Sequence, residues 1–322
     1  MDAGNARDGF DKGRASVSDA MPRCAGGDGL AAPVAATLQR LRAVLPQQAD
    51  AAQARLARAL APLAASRWPE VAWSFSSLTN TGLPVEFAWT SREAAVRWTA
   101  EVAEPEADDA TRLQRAAQAL DWSGDLRPWL DHQRGARLKF GAWASARHGE
   151  DFAAKLYADL PEGRLPPQWR GRHRLFDSAL LFWRMCGINP DGSVECYARA
   201  DELDLAALRA LARVALGDEA ALLQRLQRVL PADDLPRPSG ISLALSAQGE
   251  VRALTWFTFA KALFRDDAQV EACLRAQGEG ASAQVYAALA AGPADGRWRH
   301  GMIGVGADIA GNAWVQCGVR PT

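Results

Sequence analysis

Charged and hydroxyl-bearing side chains recur at every second position in several short stretches of this chain. Arg97, Thr99 and Glu101 form one set, and Lys155, Tyr157 and Asp159 a second. Glu195, Tyr197 and Arg199 form a third, and Trp314, Gln316 and Arg320 a fourth. Arg137 and Lys139 alternate with Leu138 and Phe140, and Glu86 with Val85 and Phe87. The intervening residues are mostly small or apolar. Successive side chains of an extended strand point to opposite faces, so each set shares one face. Cations beside tyrosine hydroxyls suit an anion, because arginine grips phosphate through a bidentate fork and lysine acts as a point charge. A carboxylate among them can move a proton or pair with a cation. On spacing alone Glu86 reads first as a solvated strand glutamate or an ion-pair partner of Arg97. Lys155 and Tyr157 read first as an exposed edge face.

Other chemistries lack their residues. The five cysteines are odd in number and form no C-x-x-C pair, which argues against a disulfide framework and a zinc site. The four histidines lie far apart, and His148 and His173 read as surface or loop residues. Asp108-Asp109, Asp233-Asp234 and Asp266-Asp267 lack the third aspartate of the D-D-x-x-D helix that holds magnesium on a diphosphate. There is no phosphate-binding P-loop or dinucleotide fingerprint. With 37 basic and 38 acidic residues the formal charge is -1, so no overall field draws nucleic acid or an anionic membrane. No apolar run is long enough to span a bilayer. Residues 1–30 are polar and glycine-rich and read as a disordered tail without an apolar leader, which points to a cytoplasmic protein. Residues 31–322 read as one domain.

The elements that would position these residues follow from periodicity. Helical spacing spans Val34 to Ala64 and returns near Thr111–Leu120, Leu205–Val214, Ala220–Val229, Gln269–Arg275 and Tyr286–Ala290. Between the helices lie five pairs of strand-like segments. The first joins PVEFAWTS to AAVRWTAEV, and the second joins ARLKFGAWAS to AKLYADLP. The third joins ALLFWRMCGI to SVECYARA through Asn189-Pro190-Asp191-Gly192, a strong turn signal. GISLALS with EVRALTWFTF and HGMIGVGAD with NAWVQCGVRP complete the series. Hairpins imply antiparallel strands. The pattern is an α+β chain with helix and hairpin repeated five times. A ten-stranded antiparallel barrel wrapped by helices fits it, as does an open sheet with helices on one face.

The segment GLPVEFAWTSREAAVRWTAEV separates these. It resembles the opening hairpin of the dimethylallyltryptophan-synthase superfamily of aromatic prenyltransferases, with Gly82, Pro84 and Glu86 on one strand and Arg97 on the next. A Lys-x-Tyr strand follows in that family, matched by Lys155-Leu156-Tyr157. Chain length and the third hairpin, INPDGSVECYARADEL, look closer to the bacterial enzymes that prenylate cyanobactin peptides. Two departures stand out. Fungal members carry Arg-x-Lys-x-Tyr in the third hairpin, where Glu195 and Tyr197 leave Arg199 as the cation. They carry tyrosines in the last two hairpins, where Trp256, Phe257, Trp314 and Gln316 stand here.

The resemblance implies an αββα barrel that transfers a prenyl group from an allylic diphosphate, dimethylallyl diphosphate above all, without a metal or other cofactor. The acceptor would be an indole, a phenol, or a residue of a ribosomally made peptide. Glu86 is then the general base. Arg97, Lys139, Lys155, Tyr157, Tyr197 and Arg199 would hold the diphosphate. Trp143, Trp183, Trp256, Trp314 and Gln316 would form the acceptor pocket and shield the allylic cation. Without the resemblance, the same faces also fit a barrel that binds an anionic or hydrophobic ligand and catalyses nothing.

Overall fold

The computed structural model describes residues 29–64, 74–136, 138–169 and 171–322. The tail expected over residues 1–30 falls mostly outside them, as does Arg137. At its inner end Leu30 and Ala31 are already buried in the core.

Ten strands close into an antiparallel barrel: β1 (Val85–Thr90), β2 (Val96–Ala100), β3 (Ala142–His148), β4 (Phe152–Asp159), β5 (Phe182–Ile188), β6 (Val194–Ala200), β7 (Ser239–Leu245), β8 (Val251–Phe259), β9 (His300–Asp308) and β10 (Ala313–Val319). Each strand pairs with its sequence neighbours, and β1 pairs with β10 to close the ring. Closure leaves no edge strand. The open-sheet alternative is thereby set aside.

Helices wrap the outside: α1 (Ala32–Arg42) and α2 (Pro46–Ala64) before the first hairpin, α3 (Asp109–Ala119) and α4 (Arg127–Gln133) before the second. Preceding the fourth are α5 (Leu205–Leu216) and α6 (Ala220–Gln227). The short α7 (Ala260–Leu263), then α8 (Asp267–Arg275) and α9 (Gly280–Ala290), precede the fifth. Their apolar residues recur at helical spacing, as in Ala49, Ala52, Leu56, Ala59, Leu60 and Leu63 of α2. Two of the aspartate pairs mark helix starts, with Asp108 capping Thr111 N–H and Asp266 capping Gln269 N–H, each at 2.9 Å.

One repeat departs from the expected pattern. Between the second and third hairpins the described residues form 3-10 turns, at Pro161–Gly163, Pro167–Trp169 and Arg174–Asp177, in place of an α-helix. Pro161, Pro166 and Pro167 cannot donate backbone hydrogen bonds, and this spacing prevents a regular helix.

The strands sort their side chains in two. Phe87, Trp89, Trp98, Leu156, Ile241, Leu254, Trp256, Val305 and Val315 face the helices and are buried. Trp89 donates from Nε1 to the carbonyl of Ser282 in α9 at 2.9 Å. His148 belongs to this layer too; it is buried, and its Nε2 lies 3.2 Å from Trp98 Nε1, so the surface reading of His148 is corrected. Fully buried Trp256 donates to Ser239 Oγ at 3.1 Å. Replacing Trp256 by Ala removes a packed core side chain and is expected to cost about 3–5 kcal/mol in urea unfolding. Trp143 faces the lumen and is only half-buried, so Trp143→Ala should cost less than half as much. Equal losses at the two sites would contradict this division of inside from outside.

Candidate active site

Glu86 lies on the lumen face of β1, level with Thr99 of β2. The backbone glycines of β9 and β10 make its space. A β-carbon on Gly318 would sit 2.5 Å from the Glu86 carboxylate, and one on Gly301 would sit 2.6 Å away. Among the described residues no group bonds to or pairs with this carboxylate. Removal from water without a partner penalises the charged form, and burial raises the Glu86 carboxyl from 4.5 to about 8. Arg97 does not keep it ionised, as its place on the paired strand suggested. That guanidinium is opposite Ala88 and pairs with Glu93.

The other carboxylates around the lumen are all engaged. Glu93, in the β1–β2 turn, takes both Arg97 and Arg147, the latter at 3.0 Å. Burial works against its charge, but the two guanidinium groups outweigh it and hold the carboxyl low. Glu195 binds Lys155 Nζ at 2.5 Å and accepts from Ser242 Oγ at 2.6 Å. Desolvation opposes that pair on both sides, yet their mutual attraction lowers Glu195 and raises Lys155. Glu101 accepts from Ser76 Oγ at 2.6 Å and Arg112 at 2.8 Å. Asp159 accepts from the backbone N–H groups of Lys139 and Phe140 at 2.6 and 2.7 Å.

Aromatic rings line the wall beside these charges. Trp143 and Tyr157 lie 6.2 Å apart between centroids, Tyr157 and Tyr197 5.7 Å, and Tyr197 and Phe257 6.2 Å. The two tyrosine oxygens are 3.4 Å apart. Across the barrel Trp314 donates to Gln316 Oε1 at 3.3 Å, over the glycine surface of β9. Such a belt presents negative π-faces to a cation and excludes water from it.

The register therefore brings Glu86, Arg97, Lys155, Tyr157, Tyr197, Trp143, Trp314 and Gln316 to one lumen. It does not bring the whole expected set there. Trp256 points to the helices, and Phe257 next to it takes the inward place. Trp183 is paired with outward-facing Ala198 across an irregularity in β5 and meets Phe176 edge-on at 5.0 Å. It belongs to the outer layer. Lys139 is not on a strand. The amides of Lys139 and Phe140 are bound by Asp159, and Gly141 turns the chain with φ 76°, so β3 begins only at Ala142. The Lys139 side chain is exposed, with Nζ 5.3 Å from the Phe140 ring. Arg199 has the inward parity but sits exposed at the rim, 2.5 Å from Asp201.

Arg147 and Ser242 are additional lumen residues. The alternation of Trp143, Ser145 and Arg147 with Ala144 and Ala146 is the pattern that marks Arg147. The expected strand segment ends at Ser145, two residues short of it. The Nε atoms of Arg97 and Arg147 are buried without a hydrogen-bond partner, side by side across β2 and β3. No group of three or more His, Cys, Asp or Glu among the described residues could hold a metal ion. Nor is any described helix long and apolar enough to cross a membrane.

No protein-family model matches the sequence. No curated protein matches it either. Solved structures do match in fold. 5-Dimethylallyl tryptophan synthase from Streptomyces coelicolor, in complex with DMASPP and Trp, superimposes with a TM-score of 0.74 at 17% identity, covering 91% of this chain and 95% of that one. The prenyltransferase PriB, in a ternary complex with L-tryptophan and dimethylallyl thiolodiphosphate, gives 0.71 at 17% identity over 90% and 95%. AnaPT from Neosartorya fischeri gives 0.66 at 16% identity over 89% and 92%. This chain has the αββα-barrel fold of those prenyltransferases.

The raised Glu86 carboxyl has a measurable consequence. Between its ordinary 4.5 and about 8 the folded protein keeps a proton that the unfolded chain has released. Raising the pH through that window therefore drains stability, and the loss is complete above it. Glu86→Gln carries no such proton. Its urea midpoint should gain on wild type from pH 5 to about 8 and level off above that. Parallel curves for the two proteins would mean that the carboxyl ionises normally in the fold.

Proposed function

We propose that the chain transfers a prenyl group from an allylic diphosphate to an aromatic acceptor inside this barrel. The observation carrying the proposal is Glu86. Of the lumen carboxylates it alone, among the described residues, lacks a partner, and it stands in the same cavity as a cation cluster and an aromatic wall. The shared fold with enzymes crystallised with DMASPP or dimethylallyl thiolodiphosphate and tryptophan supports it.

The chemistry follows from the placement. Cleavage of the allylic C–O bond leaves positive charge on the prenyl carbon and adds negative charge to the departing diphosphate. Arg97, Arg147, Lys155 and the Tyr157 and Tyr197 hydroxyls would stabilise the leaving group. The rings of Trp143, Tyr157, Tyr197 and Phe257 would shield the cation until an acceptor carbon or heteroatom attacks it. The proton displaced from the acceptor then goes to Glu86. A carboxyl held near 8 suits this task, because a base works best with its pKa close to the operating pH. A free indole such as tryptophan is the acceptor class nearest to hand. A peptide residue is the alternative within the same chemistry. Cytoplasmic placement and a single domain for residues 31–322 belong to the same proposal.

A second reading has one observation behind it: each lumen cation is already paired with a carboxylate. A barrel that binds a ligand without turnover would tolerate that. Single-turnover measurements with dimethylallyl diphosphate and a panel of indoles and phenols separate the two, since donor binding without any product would favour the binder.

Three outcomes are expected from the enzyme. Glu86→Gln should lower the rate about a hundred- to ten-thousand-fold while donor affinity barely changes. The wild-type rate should climb with pH towards about 8 as the carboxyl ionises, and the variant should lose that limb. A variant at near wild-type rate removes Glu86 as the base. Prenyl transfer should also persist in excess EDTA, because protein cations serve the leaving group. Loss of activity restored specifically by magnesium would refute that assignment.

A further inference from the structure

Glu195 stands inside the donor cluster that the proposed reaction needs. Its Oε2 takes the Lys155 ammonium at 2.5 Å and its Oε1 takes the Ser242 hydroxyl at 2.6 Å. The Tyr197 hydroxyl, two residues along the same face, lies 3.4 Å from the Tyr157 hydroxyl. Directly across the sheet are Gly187 and Ala244, which offer no side-chain group that could draw Glu195 away from Lys155. A carboxylate thus holds an ammonium and a hydroxyl in the arrangement a phosphate oxygen would use. The wider set has three cations, Arg97, Arg147 and Lys155, against two carboxylates, Glu93 and Glu195. That leaves a surplus of one positive charge for a leaving group that carries several.

We propose that Glu195 is a specificity-determining residue, a resident anion that competes with the diphosphate for Lys155. This rests on the prenyl-transfer reading above and adds to it. A donor must displace the carboxylate from Lys155 and then tolerate it nearby. The competition lowers affinity for the diphosphate and helps expel inorganic diphosphate after transfer. It narrows the preference for a diphosphate over a monophosphate, which carries less charge into the same space. One unit charge at this separation in a partly buried site changes binding about ten- to a hundred-fold.

The test is isothermal titration of wild type, Glu195→Gln and Glu195→Ala with dimethylallyl thiolodiphosphate, dimethylallyl monophosphate and inorganic diphosphate. Folding is checked by circular dichroism. Gln keeps the size and removes the charge; Ala removes both and stands in should the Gln variant fail to fold. Both variants should bind the two diphosphates at least about tenfold more tightly, and the monophosphate by a smaller factor. Unchanged or weaker diphosphate binding in the variants overturns the role of Glu195. If wild type transfers prenyl groups all the while, the functional reading stands and only this proposal falls. If no protein in the set binds any of the three probes, both fall together.

Discussion

A closed ring of strands has no edge, so each side chain must go either to the helix layer or to the lumen. That constraint governs everything else in this protein. Ten strands share it, and a slip of one residue in any of them would exchange its two faces. The outer face is filled with Phe87, Trp98, Leu156, Trp256 and Val305, which pack under the helices. The inner face receives what the helix layer cannot take: arginines, a lysine, glutamates and tyrosine hydroxyls.

Charges placed in a narrow lumen need one another. Burial opposes ionisation at Glu93, Glu195 and Lys155 alike, and each stays charged because an opposite charge touches it. Two further acids have other partners, Glu101 the Arg112 guanidinium and Asp159 a pair of backbone amides. Glu86 is the exception. The glycines at 301 and 318 clear a space for its carboxylate without supplying a donor. A carboxyl left without compensation in an otherwise compensated lumen has a perturbed proton affinity, and such groups collect at functional sites. Its burial gives the carboxyl a proton affinity near neutrality, which a paired glutamate would not have.

The same compensation explains how this barrel differs from a simple anion trap. Arg97 and Arg147 share Glu93, and Lys155 holds Glu195, so the positive face is nearly balanced before any ligand arrives. A leaving group would enter a site whose hydrogen-bond donors are already aligned by internal carboxylates. Preorganised donors of that kind are what a developing negative charge requires. The aromatic wall from Trp143 to Phe257 runs beside them, so both signs of charge in the proposed allylic transfer would have a counterpart within one lumen.

Much of this was legible in the residues alone. Alternation every second position placed Glu86, Arg97, Lys155, Tyr157, Glu195 and Tyr197 on a common type of face, because strand geometry makes parity a local property. Turn signals such as Asn189 to Gly192 located the hairpins, since those backbone conformations are chosen by a few residues. The rest depended on contacts between distant segments. Asp159 binds the amides of Lys139 and Phe140 from twenty residues away, so β3 begins only at Ala142 and Lys139 is left off the strand. An irregularity in β5 sends Trp183 outward, and only pairing with β6 reveals it. Parity within β8 cannot say which of Trp256 and Phe257 looks inward until α5 packs on one face of the strand. The partners that set each charge, Glu93 for two arginines and Glu195 for Lys155, belong to different strands and turns. Sequence determined which residues share a face; closure of the barrel decided which face was the inside and which charges would meet there.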